Sequence, residues 1–233
     1  MNDTRPTLTL FAHPLSSSCW KVLLALYETG TPFEPALVDG PPKTHAKLSA
    51  LWPIGKMPVL YDAARKQAMP ETSIIIEYLQ LHYPKSARLL PDDPSRLLEV
   101  RLWDRFFDLY VHTPMQKLVA DRLRGDADKD PAGVRDAKQT LDTAYRMLEE
   151  RAGSQTWAVG GSFTMADCSA MPALFYAEAV HPFASKHPAL AAYFTGLTDR
   201  PASRRVIEEA RPYFHYFPFF DALHPRFTGA ENR

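Results

Sequence analysis

The alternation of apolar and polar residues changes character near residue 84. Before that point, short β-prone stretches alternate with helical ones, and after it the apolar spacing is helical throughout. The first part predicts strands at 7–12, 33–38, 58–61 and up to residue 69, and helices at 19–28, 45–52 and 72–83. The order is therefore βαβ followed by ββα, with the last two strands antiparallel because only a short turn joins them.

Two residues in the first part predict local geometry. Gly30 stands where a left-handed residue is expected to end the first helix. Pro35 falls inside the second strand, and because proline has no backbone N–H, this strand is expected at an edge of the sheet.

The remainder of the chain predicts helices alone. Residues 85–94 are polar and contain prolines, which is typical of a linker, and Asp93 followed by Pro94 indicates the start of a long helix that reaches about residue 123. Further helices are predicted at 133–152, 164–179, 188–197 and 202–210, before an aromatic tail from residue 211. A part with strands and helices followed by a helical part indicates two domains, 1–84 and 95–233.

Composition narrows the class of protein. The 233 residues are 45% hydrophobic and 23% charged with a formal net charge of zero, so neither a nucleic-acid partner nor an anionic membrane surface is expected. The first residues lack the basic and apolar segments of a secretory signal, and no apolar run reaches the ~18 residues of a membrane span. Cys19 and Cys168 provide neither a disulfide framework nor a metal-ligand spacing, so we expect no metal and a cytoplasmic location.

Four short motifs stand in a fixed order along the predicted elements. They are SSSCWKV at 16–22, GKMPVL at 55–60, ETS at 71–73 and TMAD at 164–167. In this order, on a βαβ-ββα scaffold with a helical remainder, they resemble the glutathione S-transferase family over nearly the whole chain. The resemblance implies a thioredoxin-like α/β domain that binds glutathione, followed by an all-α domain. The serine-containing first loop is similar to the theta, delta and zeta classes and to many bacterial members.

The serine cluster at 16–18 lies where the first strand gives way to the first helix. Serine is a favoured N-cap, and capping is the simplest role for at least one of the three. The resemblance implies a second role, in which a hydroxyl stabilises the glutathione thiolate. A free thiol has a pKa of about 8.5, and a helix N-terminus and a donated hydrogen bond both favour the anion. In serine-type members the activating serine lies three residues before a small residue such as Cys19, which selects Ser16 and leaves Ser17 as the alternative.

Cys19 itself has two interpretations. Some family members use a cysteine here for disulfide exchange, and a helix N-terminus lowers the pKa of a thiol. However, Cys19 falls about one turn inside the helix, beside the apolar run that includes Trp20, so we favour a small buried residue.

Two further motifs carry the glutathione-binding residues that the resemblance implies. Met57-Pro58 resembles the family's cis-proline element, in which the backbone of Met57 pairs with the cysteinyl part of glutathione. Lys56 is expected to meet the glycyl carboxylate as a point charge. Glu71 is expected to pair with the γ-glutamyl ammonium, while the Thr72 hydroxyl and the helix amides hold the α-carboxylate. The simpler roles are a solvated lysine, a proline that opens a strand, and an N-cap from Thr72 or the residue after it.

The implied reaction is attack of the glutathione thiolate on a small hydrophobic electrophile, or reduction of a peroxide. Leu15, Tyr110 and Phe214 are expected to line an apolar pocket for that electrophile. Much of the rate enhancement would come from forming the thiolate and holding it beside the electrophile.

The helices also predict an oligomer and one structural site. A homodimer is expected, with the helix at 72–83 and the helix after Pro94 in the interface, because the three isoleucines at 74–76 exceed what one helix face needs. TMAD at 164–167 has the spacing of a capping box, so Asp167 is expected to stabilise a helix start rather than to take part in chemistry.

Two alternatives stay open. The first loop is similar to that of zeta-class maleylacetoacetate isomerases, although the cysteine is displaced by one position. A regulatory or structural protein could use the same fold without catalysis. Retention of Ser16, Lys56, Glu71 and Thr72 together favours an enzyme, because a scaffold needs no such set.

Overall fold

The computed structural model describes residues 7–39 and 42–229 of the chain. The chain forms two compact units, which divide between Leu90 and Pro91. This division falls inside the segment 85–94, where the polar sequence with its prolines predicted a linker. Each unit has its own helices and its own buried side chains.

The first unit contains a four-stranded sheet with the order β2-β1-β3-β4. Its strands are β1 (Leu8–Ala12), β2 (Glu34–Leu37), β3 (Val59–Asp62) and β4 (Gln67–Pro70). β1 and β2 run parallel, whereas β3 pairs antiparallel with both β1 and β4. Pro35 lies in β2 at the edge of the sheet, so the edge prediction is confirmed.

Three helices complete the first unit, and they confirm the predicted βαβ-ββα order. They are α1 (Ser17–Thr29), α2 (Pro42–Leu51) and α3 (Thr72–His82). α1 packs against α3, and most of its first ten residues are buried, which explains why the sequence here is apolar on nearly every side. Gly30 ends α1 with a φ of 62°, and its N–H donates to the carbonyls of Leu26 and Tyr27, so the left-handed cap is confirmed.

The second unit is helical, and residues 91–229, all of which the structure describes, contain no strand. Its helices are α4 (Pro94–Phe106), α5 (Thr113–Leu123), α6 (Pro131–Ala152), α7 (Met165–Val180), α8 (Pro188–Thr198), α9 (Pro201–Ala210) and α10 (Pro225–Thr228). Short 3₁₀ turns cover Asp126–Asp128, Arg211–Tyr216 and Phe220–Ala222. α7 is buried on almost every side and packs against α4, α5 and α8, so it forms the centre of this unit.

The long helix predicted from Pro94 to residue 123 is not a uniform α-helix. A π-helical segment, Phe107–His112, separates α4 from α5, and the prediction is corrected there. We attribute the segment to Pro114, because proline lacks a backbone N–H and its ring collides with the carbonyl four residues earlier in an α-helix. A wider turn accommodates that ring, and the Thr113 hydroxyl donates to the Asp108 carbonyl at 2.9 Å.

Asp167 joins the start of α7 to the loop before it. The predicted capping box is present, with the Thr164 N–H donating to Asp167 Oδ2 at 2.8 Å. The same carboxylate accepts from the Ala158 N–H at 2.8 Å and from the Tyr193 hydroxyl at 2.7 Å. Burial raises the pKa of Asp167, and these hydrogen bonds partly offset that effect. Asp167 is therefore structural, as predicted.

Candidate active site

The register of the sheet brings the three predicted glutathione-binding segments together where β1 and β4 end and β3 begins. We call this end of the sheet the sheet edge, as distinct from the outermost strand β2. Phe11, near the end of β1, pairs with Val59 at the start of β3. Val59 in turn pairs with Pro70 at the end of β4. The loop after β1, the residues before β3 and the start of α3 therefore share this edge, although they are far apart in sequence. These segments are 13–18, 55–58 and 71–73.

The loop between β1 and α1 is tied to its own backbone. The Ser16 N–H donates to the His13 carbonyl at 3.0 Å, and the Leu15 N–H donates to His13 Nδ1 at 3.1 Å. From α1, the buried indole of Trp20 donates to the Pro14 carbonyl at 2.5 Å. These bonds fix the position of Ser16 at the start of the helix.

Ser16 is the N-cap of α1 and is partly exposed. Its φ of −77° and ψ of 113° are usual for an N-cap, and its Oγ accepts from the Cys19 N–H at 3.3 Å. This cap uses an acceptor lone pair of the hydroxyl and leaves the hydroxyl proton for donation. The capping and activating roles of Ser16 are therefore compatible, and the helix N-terminus adds positive potential at the same point.

Ser17 is the first residue of α1, which begins earlier than the predicted start at residue 19. It is only 2% exposed, so its hydroxyl presents almost no surface to a ligand. This burial favours Ser16 over the alternative, Ser17, as the residue that contacts the thiol.

Cys19 lies on α1 and is fully buried. Burial raises the pKa of its thiol to about 11, and the hydrogen bond with the Ser16 hydroxyl opposes this only in part. The thiol is therefore protonated and shielded at neutral pH, which favours the interpretation of a small buried residue over disulfide exchange.

The segment before β3 carries three of the predicted residues. The peptide bond between Met57 and Pro58 is cis, as the resemblance implied. Pro58 is buried, Met57 is partly exposed, and Lys56 is exposed, so its ammonium is accessible to an anionic ligand. Gly55 before them has a φ of 71°, a conformation that residues with a Cβ rarely adopt.

The start of α3 differs from the prediction in one respect. Glu71, rather than Thr72 or Ser73, is the N-cap residue, and its side chain makes no capping hydrogen bond. Its φ of 66° and ψ of 118° are strained for a residue with a side chain, and such strain is typical of functional positions. Without a capping side chain, the amides of the first turn are suited to an anionic group from a ligand. Glu71 itself is exposed and Thr72 partly so.

The three residues expected to contact the electrophile have different environments. Leu15, in the first unit, is partly exposed, and Tyr110, in the π-helical segment of the second unit, is 49% exposed. Phe214, by contrast, is 1% exposed and stacks on Phe175 with 5.9 Å between ring centroids. Phe214 is therefore a core residue of the second unit, and the expectation that it lines a ligand pocket is corrected.

His13 is a residue of this edge that the sequence analysis did not single out. Burial lowers the pKa of His13, and the Asp39 carboxylate partly offsets that effect. The imidazole is therefore neutral at pH 7, and because Nδ1 accepts from the Leu15 N–H, the proton lies on Nε2. Its place directly after β1, at the strand end that leads into the serine loop, is the signal that could have drawn attention to it.

The residues that the structure describes were also searched for metal sites, membrane-spanning helices and exposed thiols. Among them, no group of three or more His, Cys, Asp or Glu side chains is placed to hold a metal ion. No helix in that part of the chain is both long enough and apolar enough to cross a membrane. Cys19 and Cys168 are both buried free thiols.

Comparison with known families identifies the chain. The profile described as "Glutathione S-transferase, N-terminal domain" matches residues 10–87, and the profile described as "Glutathione S-transferase, C-terminal domain" matches residues 131–196. The chain belongs to the glutathione S-transferase family. Membership makes glutathione transferase its enzyme class and confirms the predicted fold class, a thioredoxin-like α/β domain followed by an all-α domain.

Individual members of the family align with most of the chain. A glutathione S-transferase of Arabidopsis thaliana is 30% identical over 199 residues, which cover 79% of this chain and 77% of the plant protein. The glutathione S-transferase GstB of Escherichia coli is 25% identical over 203 residues, or 86% of this chain and 97% of GstB. A glutathione S-transferase from Methylobacterium radiotolerans, solved in complex with glutathione sulfonate, has a TM-score of 0.75 at 26% identity and covers 85% of this chain and 93% of its own. Glutathione is the co-substrate that fits a chain of this family.

Proposed function

We propose that this member of the glutathione S-transferase family binds glutathione at the sheet edge and activates its thiol with the Ser16 hydroxyl. The observation that carries the proposal is the convergence of the three segments through the register of β1, β3 and β4. This edge supplies a capping hydroxyl at one helix N-terminus, uncapped amides at another, and the exposed cation of Lys56. These are the groups that a thiolate and two carboxylates require.

Each part of glutathione has a proposed partner at this edge. Glu71 pairs with the ammonium of the γ-glutamyl residue, and the Thr72 hydroxyl and first-turn amides of α3 hold its α-carboxylate. The backbone of Met57, before Pro58, bonds the cysteinyl residue in the manner of an added strand. Lys56 meets the glycyl carboxylate.

The chemistry begins with loss of the thiol proton to solvent. The remaining thiolate accepts a hydrogen bond from the Ser16 hydroxyl. A hydrogen bond to an anion stabilises that anion by about 1.5–3 kcal/mol. One pKa unit corresponds to about 1.4 kcal/mol, so the thiol pKa falls by about one to two units. The sulfur then bonds to the electrophilic carbon, and the leaving group departs with the electron pair of the bond that breaks.

Two of the three residues expected to contact the electrophile keep surface that a ligand could reach. Leu15 and Tyr110 keep some exposure and stay predictions as contacts for a small hydrophobic electrophile. Reduction of a peroxide by the same thiolate is an equally direct use of Ser16. The roles of residues 1–84 in binding glutathione and of 95–233 in completing the electrophile pocket likewise stay predictions, as does the cytoplasmic location.

The alternative functions can be separated by simple assays. The burial of Cys19 supports conjugation over disulfide exchange. Cis-trans isomerisation of a maleyl compound would identify a zeta-like isomerase. Retention on glutathione-agarose with elution by free glutathione, without turnover of any electrophile or peroxide, would instead favour a regulatory or structural protein.

A homodimer is the proposed assembly. Ile75 and Ile76 are buried in the first unit, whereas Ile74 is exposed together with Leu81, which lies two turns further along the same face of α3. In α4, Leu98 and Leu102 are exposed one turn apart. Apolar side chains at helical spacing on the surface of both predicted interface helices support burial against a second copy.

The glutathione site is tested by calorimetry on two variants and a matched control. We expect Glu71→Gln and Thr72→Val each to weaken glutathione binding by about 1–3 kcal/mol, because each leaves a charged group of the ligand without its partner. Thr72→Ser keeps the hydroxyl and should bind as the parent does. Unchanged affinity in both Glu71→Gln and Thr72→Val would contradict the assignment.

A further inference from the structure

The second unit contains a cavity that shares no residue with the proposed glutathione and electrophile contacts. It lies between the end of α7, the loop after it, α8 and the chain after α9, and its volume is about 560 Å³. Protein pockets of this size enclose small organic molecules. The side chains that line the cavity therefore indicate which class of molecule it fits.

The apolar part of the lining is aromatic. Phe175, Phe194 and Phe227 line the cavity from α7, α8 and α10. The centroid of the Phe227 ring lies 4.9 Å from that of Phe175 and 6.3 Å from that of Phe194, so the three rings form one cluster. Such rings pack well against an aryl group, and their faces carry negative potential that also attracts an organic cation.

Two carboxylates lie in the same lining, and neither is neutralised by a cation of the protein. Glu178 is partly buried, and its Oε2 accepts from the N–H groups of Phe183 and Ala184 at 2.7 and 3.1 Å. Those bonds hold the carboxylate in place, and within residues 7–39 and 42–229 no group donates to its Oε1. Asp221 is exposed and forms no ion pair with any residue of these two ranges. The lining therefore offers a fixed acceptor and a second negative charge.

The guanidinium of Arg226 is the cation of this lining. It lies 4.4 Å from the centroid of the Phe227 ring and donates to Thr198 Oγ1 at 2.9 Å, and it forms no ion pair with either carboxylate. His224 also lines the cavity, and its Nδ1 accepts from the Arg226 N–H at 3.2 Å, so the ring is neutral in this arrangement. Two carboxylates and one guanidinium leave the lining net negative, which favours a cationic ligand over an anionic one.

We propose that this cavity binds an aromatic amine, a molecule in which an ammonium group lies a few bonds from an aryl group. The aryl group packs against the cluster of three phenylalanine rings. The ammonium donates to Glu178 Oε1 and is attracted by the carboxylate of Asp221 as well. The site is independent of glutathione, so the proposal holds or fails separately from the proposed function.

The charge preference is tested by calorimetry on the full chain with three probes of similar shape. They are naphthylethylamine, naphthylethanol and naphthylpropionate, which carry a positive charge, no charge and a negative charge at pH 7. We expect the amine to bind about tenfold more tightly than the alcohol, the gain from a hydrogen bond between charged groups. The propionate should bind more weakly than the alcohol, because its carboxylate meets two others.

Glu178→Gln tests the residue that is proposed to hold the ammonium. Its side-chain oxygen can still accept from the two backbone N–H groups, but the charge is lost. We expect the amine to bind about tenfold more weakly and the alcohol to bind as it does to the parent. Asp221→Asn should weaken the amine by about twofold, because an exposed charge contributes less. Asp136→Asn removes an exposed carboxylate of α6 outside the lining and is the matched control, which should change neither affinity.

Ala191→Phe keeps the test decisive if Glu178→Gln fails to fold. Ala191 lines the cavity from α8 and is partly exposed, so a phenyl group there occupies the cavity and should abolish binding of the amine. Absence of amine binding to the parent, or equal affinity for the amine and the alcohol, would overturn the proposal. Parent-like binding of the amine in Ala191→Phe or in folded Glu178→Gln would overturn it as well, since the amine would then bind elsewhere.

Discussion

Replacement of Ser16 separates the two roles that its hydroxyl has at the sheet edge. As an N-cap, its Oγ accepts from the Cys19 N–H at 3.3 Å, which is longer than the usual range for such a bond. We therefore expect loss of the cap in Ser16→Ala to cost about 0.5 kcal/mol of unfolding free energy, at the lower end for N-cap serines. As a donor to the thiolate, the hydroxyl contributes about 1.5–3 kcal/mol, so the pKa of bound glutathione should rise by about one to two units.

The two effects can be measured independently. Ultraviolet absorbance of the thiolate against pH gives the pKa of bound glutathione, and thermal unfolding gives the loss of the cap. Ser16→Gly should raise the thiol pKa as much as Ser16→Ala while changing stability by only a few tenths of a kcal/mol, because glycine is a tolerated N-cap. Ser16→Thr keeps the hydroxyl and should titrate like the parent. Turnover at neutral pH should fall in the first two variants and recover at alkaline pH.

A control at the start of α4 tests whether loss of a helix cap by itself changes the thiol pKa of bound glutathione. Asp93 caps α4 through a 2.8 Å hydrogen bond to the Arg96 N–H, so Asp93→Ala should lose about 1 kcal/mol of stability and leave the thiol pKa unchanged. If bound glutathione has the same thiol pKa in Ser16→Gly and Ser16→Ala as in the parent, the Ser16 hydroxyl does not stabilise the thiolate. A shift in Ser17→Ala without one in Ser16→Ala would transfer the role to Ser17 despite its burial.

Cys19, Asp62 and the exposed surface of α4 each allow a further test. Cys19 should resist alkylation at neutral pH in the folded protein and react only on unfolding, and rapid labelling of the native chain would contradict its raised pKa. Burial alone would raise the pKa of Asp62. Hydrogen bonds from the Tyr83 hydroxyl at 2.6 Å and the Tyr78 hydroxyl at 2.7 Å outweigh the effect of burial, so the pKa of Asp62 is lowered. The ionised Asp62 therefore stabilises the fold at pH values above its pKa in the unfolded chain, and this stabilisation is lost as the pH falls through its pKa in the folded chain. Tyr83→Phe removes one of these hydrogen bonds and should move the pH midpoint of acid unfolding to a higher value. An unchanged midpoint would contradict this role of Tyr83. If the proposed homodimer forms, light scattering should give a dimer mass for the parent and a monomer mass for the double variant Leu98→Glu with Leu102→Glu. A parent of monomer mass at micromolar concentration would refute the assembly.

Much of the fold could be predicted because its determinants are local. Pro35 can stand only where a ladder bond is dispensable, and the chain places it in an edge strand. Gly30 and the capping box at Asp167 mark helix ends by the conformations and hydrogen bonds that their residue types favour. Such signals depend on a few neighbouring residues, so they survive without knowledge of the tertiary structure.

What the sequence could not provide depends on packing between distant elements. Whether Ser16 or Ser17 is exposed depends on where α1 begins, and the polarity of serine says nothing about this. The burial of Phe214 follows from its stacking on Phe175. An aromatic tail is equally consistent with a ligand pocket and with a core, and only the packing distinguishes the two.

The most direct test of the account is a crystal structure of the chain soaked with glutathione. We expect the γ-glutamyl carboxylate at the first turn of α3, beside Thr72, and the sulfur within hydrogen-bonding distance of Ser16 Oγ. Glutathione bound away from the sheet edge, or bound there with its sulfur out of reach of Ser16, would contradict the central claim.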